Sequence, residues 1–163
     1  MTNQNAVEQK IIEKKVVIHS KIDLVWHAWT RSERVSQWFA GKAIVEPIVG
    51  GKYELYFEPG NEEGNCTKGC TIISLEPFTR LSFTWKGPDP LAELMNQDSQ
   101  LTEVYVTLHE MGEHTEVTVK HGGWGEGPEW QKAREWHVMA WNQVLNSLKS
   151  ALESGEGDLC CQP

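Results

Sequence analysis

The last third of the chain has hydrophobic residues at every third or fourth position, the spacing that places them on one face of a helix. They are Trp130, Ala133, His137, Ala140, Trp141, Val144, Leu148 and Leu152. Pro128 is favourable as the first residue of a helix, and Gly155 is a natural stop. The pattern predicts a helix of roughly 26 residues and about 39 Å.

The first third predicts a strand followed by two short helices. Residues 11–19 are rich in β-branched side chains, which favours a strand. Ser20 and Asp23 have the spacing of a capping box at a helix start, and Ser32 is a candidate cap for a second helix. The apolar residues that we expect to face inward from these helices are Ile22, Val25, Trp26, Trp29, Val35, Trp38 and Phe39.

Between these helical regions the hydrophobic period changes to two, which is typical of half-buried strands. The alternation is clearest at 53–57, 81–85 and 102–109, and residues 69–76 form a further predicted strand. A turn at Gly112 leads to a partner strand that contains Val117 and Val119. Residues 87–100 are a predicted polar loop.

The order of these elements predicts an α+β fold. Successive strands joined by short turns form an antiparallel sheet, here of about six to seven strands, and the long amphipathic helix must bury its apolar face against that sheet. The sheet therefore curls around the C-terminal helix, with two short helices after the first strand. We expect one domain at 11–153, an N-terminal segment at 1–10 and a loose tail at 154–163.

Composition and charge narrow the classes of partner. The chain has 163 residues, with 15 Lys+Arg against 23 Asp+Glu, a formal net charge of −8. An acidic domain repels phosphate backbones and anionic lipid, so neither nucleic acid nor a membrane is an expected partner. The first ten residues lack the apolar core of a signal peptide, and no stretch is long enough to span a membrane, so we expect a cytoplasmic protein.

Sequence patterns for metal or nucleophilic chemistry are weak. Cys66 and Cys70 are spaced too widely for a common zinc knuckle, and Cys160 and Cys161 are adjacent. We therefore expect four reduced thiols. Residues 109–114 (HEMGEH) resemble a zinc-protease motif but have Glu113 where that motif needs histidine. The sequence predicts no metal and no cofactor.

Several short segments, in their order and spacing, resemble one protein family. They are residues 25–30 (VWHAWT), 37–39 (QWF), 50–53 (GGKY), 80–85 (RLSFTW), 102–108 (TEVYVTL), 115–119 (TEVTV) and 121–124 (HGGW), with Trp141, Leu145 and Leu148 on the last helix. Together they resemble the activator of heat-shock-protein-90 ATPase homologue-like family of the START-like, or SRPBCC, superfamily. The resemblance spans roughly residues 11–153 and implies a helix-grip fold.

The resemblance also implies a cavity between the sheet and the last helix that binds a hydrophobic or amphipathic small molecule. The residues that we expect to line it are Trp38, Phe39, Tyr53, Phe57, Trp85, His121, Trp124, His137 and Trp141. The chain has eight tryptophans against three tyrosines and four phenylalanines. Large rings serve both as core and as cavity wall, so each of these aromatic residues has a purely structural alternative.

His137 lies on the apolar face of the last helix, and His121 follows the inward-facing Val117 and Val119. Each histidine is either a hydrogen-bonded core residue or a polar group in the cavity that serves as an anchor or a general acid–base. Trp130 and Trp136 lie outside the family-like segments, and we expect them near the cavity mouth or an oligomer contact.

The sequence is compatible with three functions. The first is binding of a hydrophobic small molecule without defined catalysis. The second is a co-chaperone-like interaction module, for which a chaperone is the partner. The third is a cyclase-like or hydrolytic enzyme that uses the cavity histidines. A homodimer is compatible with all three.

Overall fold

A computed structural model describes residues 10–154. It contains seven β-strands, the long C-terminal helix and three shorter α-helices. The strands are β1 (Ile12–Ile18), β2 (Lys42–Val45), β3 (Tyr53–Tyr56), β4 (Ile72–Glu76), β5 (Arg80–Trp85), β6 (Thr102–Met111) and β7 (His114–Gly122). The helices are α1 (Ile22–Thr30), α2 (Ser32–Val35), α3 (Ala92–Met95) and α4 (Pro128–Glu153).

Five of the strands form one antiparallel sheet, in the order β1-β7-β6-β5-β4. β2 and β3 form a separate antiparallel pair. An isolated bridge between Lys52 and Thr71 joins the start of β3 to the chain just before β4, and a second pairs Tyr56 with Cys66. The α+β fold with a sheet around a long C-terminal helix is thereby confirmed, and the predicted strands belong to a five-stranded sheet and a two-stranded one.

The long helix α4 packs on the concave face of the sheet through one continuous stripe. Its buried residues are Ala133, His137, Trp141, Leu145, Leu148 and Leu152. They repeat at the three- and four-residue spacing that the sequence predicted. From β6 and β7, Val104, Val106, Val117 and Val119 are buried in the same core. The sheet and the helix therefore share one hydrophobic interior.

Both predicted helix caps are wrong. Helix α1 begins after Lys21, without a side-chain cap, and the Oγ of Ser20 is buried with no hydrogen-bond partner. The Asp23 carboxylate instead accepts from the backbone N–H of Leu24 at 2.8 Å. Ser32 accepts from the backbone N–H of Val45 at 2.8 Å, so its hydroxyl attaches α2 to β2.

The predicted polar loop at 87–100 contains ordered turns. Two 3₁₀ turns, Asp89–Leu91 and Asp98–Gln100, flank α3, and Met95 of that helix is fully buried. A Cβ at Gly87 would lie only 2.5 Å from the sulfur of Met95. Met95 therefore packs directly against Gly87, and the backbone N–H of Gly87 donates to the side chain of Asn96 at 2.8 Å, which holds the loop against the end of β5.

Candidate functional site

An open cavity of about 340 Å³ lies between α4 and the sheet, at the end of the molecule where β5 finishes. Its inner wall is mostly hydrocarbon and aromatic ring, and its mouth is more polar. The buried or half-buried residues of the inner wall are Phe39, Trp85, Gly87, Pro88, His137, Ala140, Trp141 and Val144. The mouth is formed by Phe57, Glu58, Asn65, Cys66, Lys86 and Trp136.

Each wall residue is held by a different part of the fold. Phe39 follows α2, Phe57 follows β3, and Trp85 is the last residue of β5. Phe39 stacks on Trp85 with ring centroids 5.9 Å apart and lies edge-on to Trp141 at 5.7 Å. Because these rings support one another, the wall is formed before any ligand arrives.

His137 is buried in the wall, and both of its ring nitrogens have partners. The indole N–H of Trp85 donates to Nε2 at 3.1 Å, and Nδ1 lies 2.7 Å from the carbonyl oxygen of Ala133. Since an indole nitrogen only donates, Nε2 must be the acceptor and Nδ1 carries the proton. Burial lowers the pKa of His137 from 6.5 to about 4.

His121 has the same arrangement with the nitrogens exchanged. The indole N–H of Trp141 donates to Nδ1 at 3.0 Å, so the proton is on Nε2, 2.8 Å from the hydroxyl of Thr102. Trp124 donates to the backbone carbonyl of His121 at 2.8 Å. Burial and the neighbouring His137 hold the pKa of His121 well below its usual range.

These two indole–imidazole pairs, Trp85–His137 and Trp141–His121, decide what the histidines can do. Each ring is neutral, and neither has a nitrogen left for a ligand or a proton transfer. A protonated imidazole would direct an N–H at an indole N–H, which is repulsive. The geometry therefore favours the core-histidine interpretation over the general acid–base one.

The nine residues predicted to line the cavity fall into two groups. Phe39, Phe57, Trp85, His137 and Trp141 line it. The other four lie elsewhere: Trp38, Tyr53, His121 and Trp124.

Hydrogen bonds explain why these four residues are away from the wall. The indole N–H of Trp38 donates to the backbone carbonyl of Ala28 at 2.7 Å. The hydroxyl of Tyr53 donates to the backbone carbonyl of Trp29 at 2.8 Å. Both rings therefore fasten α1 to the core. His121 lies behind Trp141, and Trp124 lies beside Trp130 in a second, more polar groove.

Sequence reasoning missed most of the mouth. Glu58, Asn65 and Lys86 are polar residues of turns and strand ends, and nothing in their local pattern distinguishes them from ordinary surface. The apolar stripe predicted for α4 includes Ala140 and Val144, and this helical spacing is the sequence pattern that points to their position on the cavity wall. The sequence predicts that Trp130 and Trp136 lie near the cavity mouth or an oligomer contact. Trp136 lies at the mouth with 49% of its surface exposed, whereas Trp130 lines the second groove.

Cys66 lies at the mouth and is half-buried, whereas Cys70 is fully buried. Burial raises the pKa of the Cys70 thiol to about 11. Cys160 and Cys161 lie outside the described residues. Within residues 10–154, no group of three or more His, Cys, Asp or Glu side chains is placed to hold a metal ion. Over the same part of the chain, no helix is long and apolar enough to cross a membrane.

The architecture, a curved antiparallel sheet that grips a long C-terminal helix, is that of the helix-grip proteins. The sequence profile of the family described as Activator of Hsp90 ATPase homolog 1-like protein matches residues 19–153. The chain belongs to this family. A search of curated proteins found no match.

Several solved structures have the same fold. A Mesorhizobium loti protein is 21% identical, with a TM-score of 0.71 over 90% of this chain and 99% of its own. The Aha1 dimer from Colwellia psychrerythraea is 21% identical, with a TM-score of 0.68 over 90% and 98%. An HSP90 activator from Plasmodium falciparum is 15% identical, with a TM-score of 0.68 over 87% and 95%. At these identities the likeness establishes the fold.

Proposed function

We propose that the protein binds a small hydrophobic or amphipathic molecule in the cavity between α4 and the sheet. The observation that carries this proposal is the cavity itself, which is open, aromatic and about 340 Å³ in volume. Ligand sites in proteins commonly occupy about 300–1,000 Å³ and combine apolar walls with a few polar groups. Other depressions on the described surface have volumes of about 430–500 Å³, and this cavity differs from them in its mostly apolar and aromatic lining.

The site's chemistry favours binding over catalysis. The two histidines that could have moved protons are neutral and fully hydrogen-bonded. Contact with the rings of Phe39, Phe57 and Trp141 would supply the affinity through apolar burial. The polar mouth would leave one end of the ligand in water.

Filling the cavity tests the proposal. Ala140 lies on the wall, so Ala140→Phe places a ring in the opening without removing an existing contact. Met139 is the neighbouring residue of α4, is 66% exposed and lies outside the wall, so Met139→Phe is the matched control. Binding of the neutral apolar probe N-phenylnaphthylamine is measured by its fluorescence.

We expect the unmodified protein and Met139→Phe to bind the probe, and Ala140→Phe to lose at least about 90% of binding, which corresponds to about 1.4 kcal/mol. Native mass spectrometry of freshly purified protein provides a second measurement, since a retained ligand appears as added mass. Equal probe binding by the two variants would refute the proposal.

A co-chaperone role is the second candidate, and the family match supports it, together with the fold likeness to an Aha1 dimer and to an HSP90 activator. It predicts that the purified protein changes the ATPase rate of the host's own Hsp90-type chaperone. Ala140→Phe separates the two roles. It blocks the cavity but should leave a chaperone-binding surface unchanged.

A further inference from the structure

The polar hydrogens of the inner wall are already used within the protein. The indole N–H groups of Trp85 and Trp141 donate to histidines at 3.1 and 3.0 Å, and the backbone N–H of Gly87 donates to Asn96 at 2.8 Å. Pro88 has no N–H. A carboxylate, phosphate or carbonyl that leaves water needs such donors. These wall groups would leave an anionic or carbonyl head group without partners.

The aromatic residues of the cavity can contact a ligand through their rings. The π faces of Trp and Phe carry a negative quadrupole that attracts cations, most strongly for tryptophan. Trp85, Trp141 and Phe39 are buried rings of the inner wall, and Phe57 and Trp136, 39% and 49% exposed, present accessible ring surface at the mouth. A quaternary ammonium suits such a site because it has no N–H and needs no hydrogen-bond acceptor.

The mouth adds one unpaired carboxylate. Glu58 accepts hydrogen bonds from the side-chain amides of Asn61, at 3.0 Å, and Asn65. These bonds lower its pKa and keep it ionised. Within residues 10–154, no lysine or arginine lies within ion-pair distance of Glu58. The ammonium of Lys86, also at the mouth and also without an ion pair among residues 10–154, is directed at the carbonyl of Lys68, to which it donates at 2.7 Å.

From these three observations we propose that the cavity selects cationic amphiphiles, in which a quaternary ammonium is attached to an apolar body. This inference rests on the proposed function and specifies the ligand class of the same site. The apolar body lies against the rings of the wall, and the ammonium lies between Trp136 and Glu58. The net charge of −8 attracts cations to the protein from longer range.

The test compares three probes with closely matched alkyl chains: decyltrimethylammonium, decanol and decanoate. Their dissociation constants are measured by isothermal titration calorimetry below the micellar concentration. We expect decyltrimethylammonium to bind about tenfold more tightly than decanol, since one or two cation–π contacts supply that factor. Decanoate should bind most weakly.

Two charge variants locate the head group. Glu58→Gln should weaken decyltrimethylammonium binding about threefold, as expected for a solvent-exposed charge pair, and leave decanol binding unchanged. Glu110 is exposed at the far end of β6, away from the Trp85–Thr102 pairing beside the cavity, so Glu110→Gln is the matched control for net charge. It should leave all three dissociation constants unchanged.

The outcomes separate this inference from the proposed function. Decanoate or decanol binding as tightly as the ammonium, with loss of binding in Ala140→Phe, would overturn the cation preference and keep the cavity as a binding site. If none of the three probes binds, the inference and the proposed function both fail. If the preference for the ammonium persists undiminished in Glu58→Gln, the placement of the head group at Glu58 is wrong.

Discussion

Acid should destabilise the fold through His137, whose ring is held neutral between Trp85 and the carbonyl of Ala133. The unfolded chain takes up a proton near the ordinary pKa of 6.5, whereas the folded protein does so only near a pKa of about 4. A base with a lowered folded-state pKa contributes stability that is complete above 6.5 and is lost as the pH falls toward 4.

The magnitude follows from these two pKa values. Between about pH 8 and about pH 5, the unfolded chain becomes almost fully protonated at this site while the folded protein stays neutral. That costs about 2 kcal/mol of unfolding free energy, and the full loss toward pH 4 is about 3 kcal/mol. His121 is lowered in the same direction and adds to the loss. A domain stable by about 5–15 kcal/mol would show this clearly.

Urea unfolding followed by tryptophan fluorescence, repeated at several values between about pH 5 and pH 8, measures the slope. His137→Gln removes the titrating group but keeps a side-chain oxygen that can accept from Trp85. Unfolding of this variant should take up as much as about one proton fewer, so its unfolding free energy should depend less steeply on pH. His109→Gln, at an exposed position of β6, is the matched control for the same exchange at a surface histidine. Identical slopes for His137→Gln and the unmodified protein would refute the assignment of this buried neutral imidazole.

Three further predictions test the core and the cysteines. Leu148→Ala, at a fully buried position of α4, should cost about 2–5 kcal/mol in urea unfolding, whereas Met139→Ala, 66% exposed, should stay within about 0.5 kcal/mol. Tyr53→Phe leaves a buried backbone carbonyl without its hydroxyl donor and should cost about 1–3 kcal/mol in the same assay; an unchanged midpoint would contradict that bond. Iodoacetamide followed by peptide mass mapping should modify Cys66 in the folded protein, and Cys70 only after unfolding, because burial raises its thiol pKa to about 11. Equal rates at the two cysteines would contradict the packing around Cys70.

The sequence predicted the elements that have a clear hydrophobic period. The spacing along α4 and the alternation along β6 both arise because the helix buries one face against the sheet and the sheet buries one face against the helix. β2 was missed because Lys42–Val45 is short and its first three residues are only partly buried or exposed, so it shows no alternation. The capping box failed because Ser20 and Asp23 have the right spacing, but the helix begins one residue after the position that such a cap requires.

The site was harder to predict because periodicity reports burial and not what a buried ring faces. Trp38 and Phe39 are adjacent in sequence, yet only Phe39 lines the cavity. The partnership of Trp85 with His137 joins positions 52 residues apart, which no local pattern can reveal. The mouth residues Glu58 and Lys86 follow β3 and β5, which belong to different sheets, so no local pattern joins them.

The two indole–imidazole pairs also have a consequence for how related sequences diverge. Each indole has one polar hydrogen and each neutral imidazole has one acceptor nitrogen, so replacing either member leaves the other buried without a partner. Positions 85 and 137 should therefore change together among relatives, as should 141 and 121. Outer-face positions such as Thr107 and His109, exposed on β6, carry no such constraint and should vary independently.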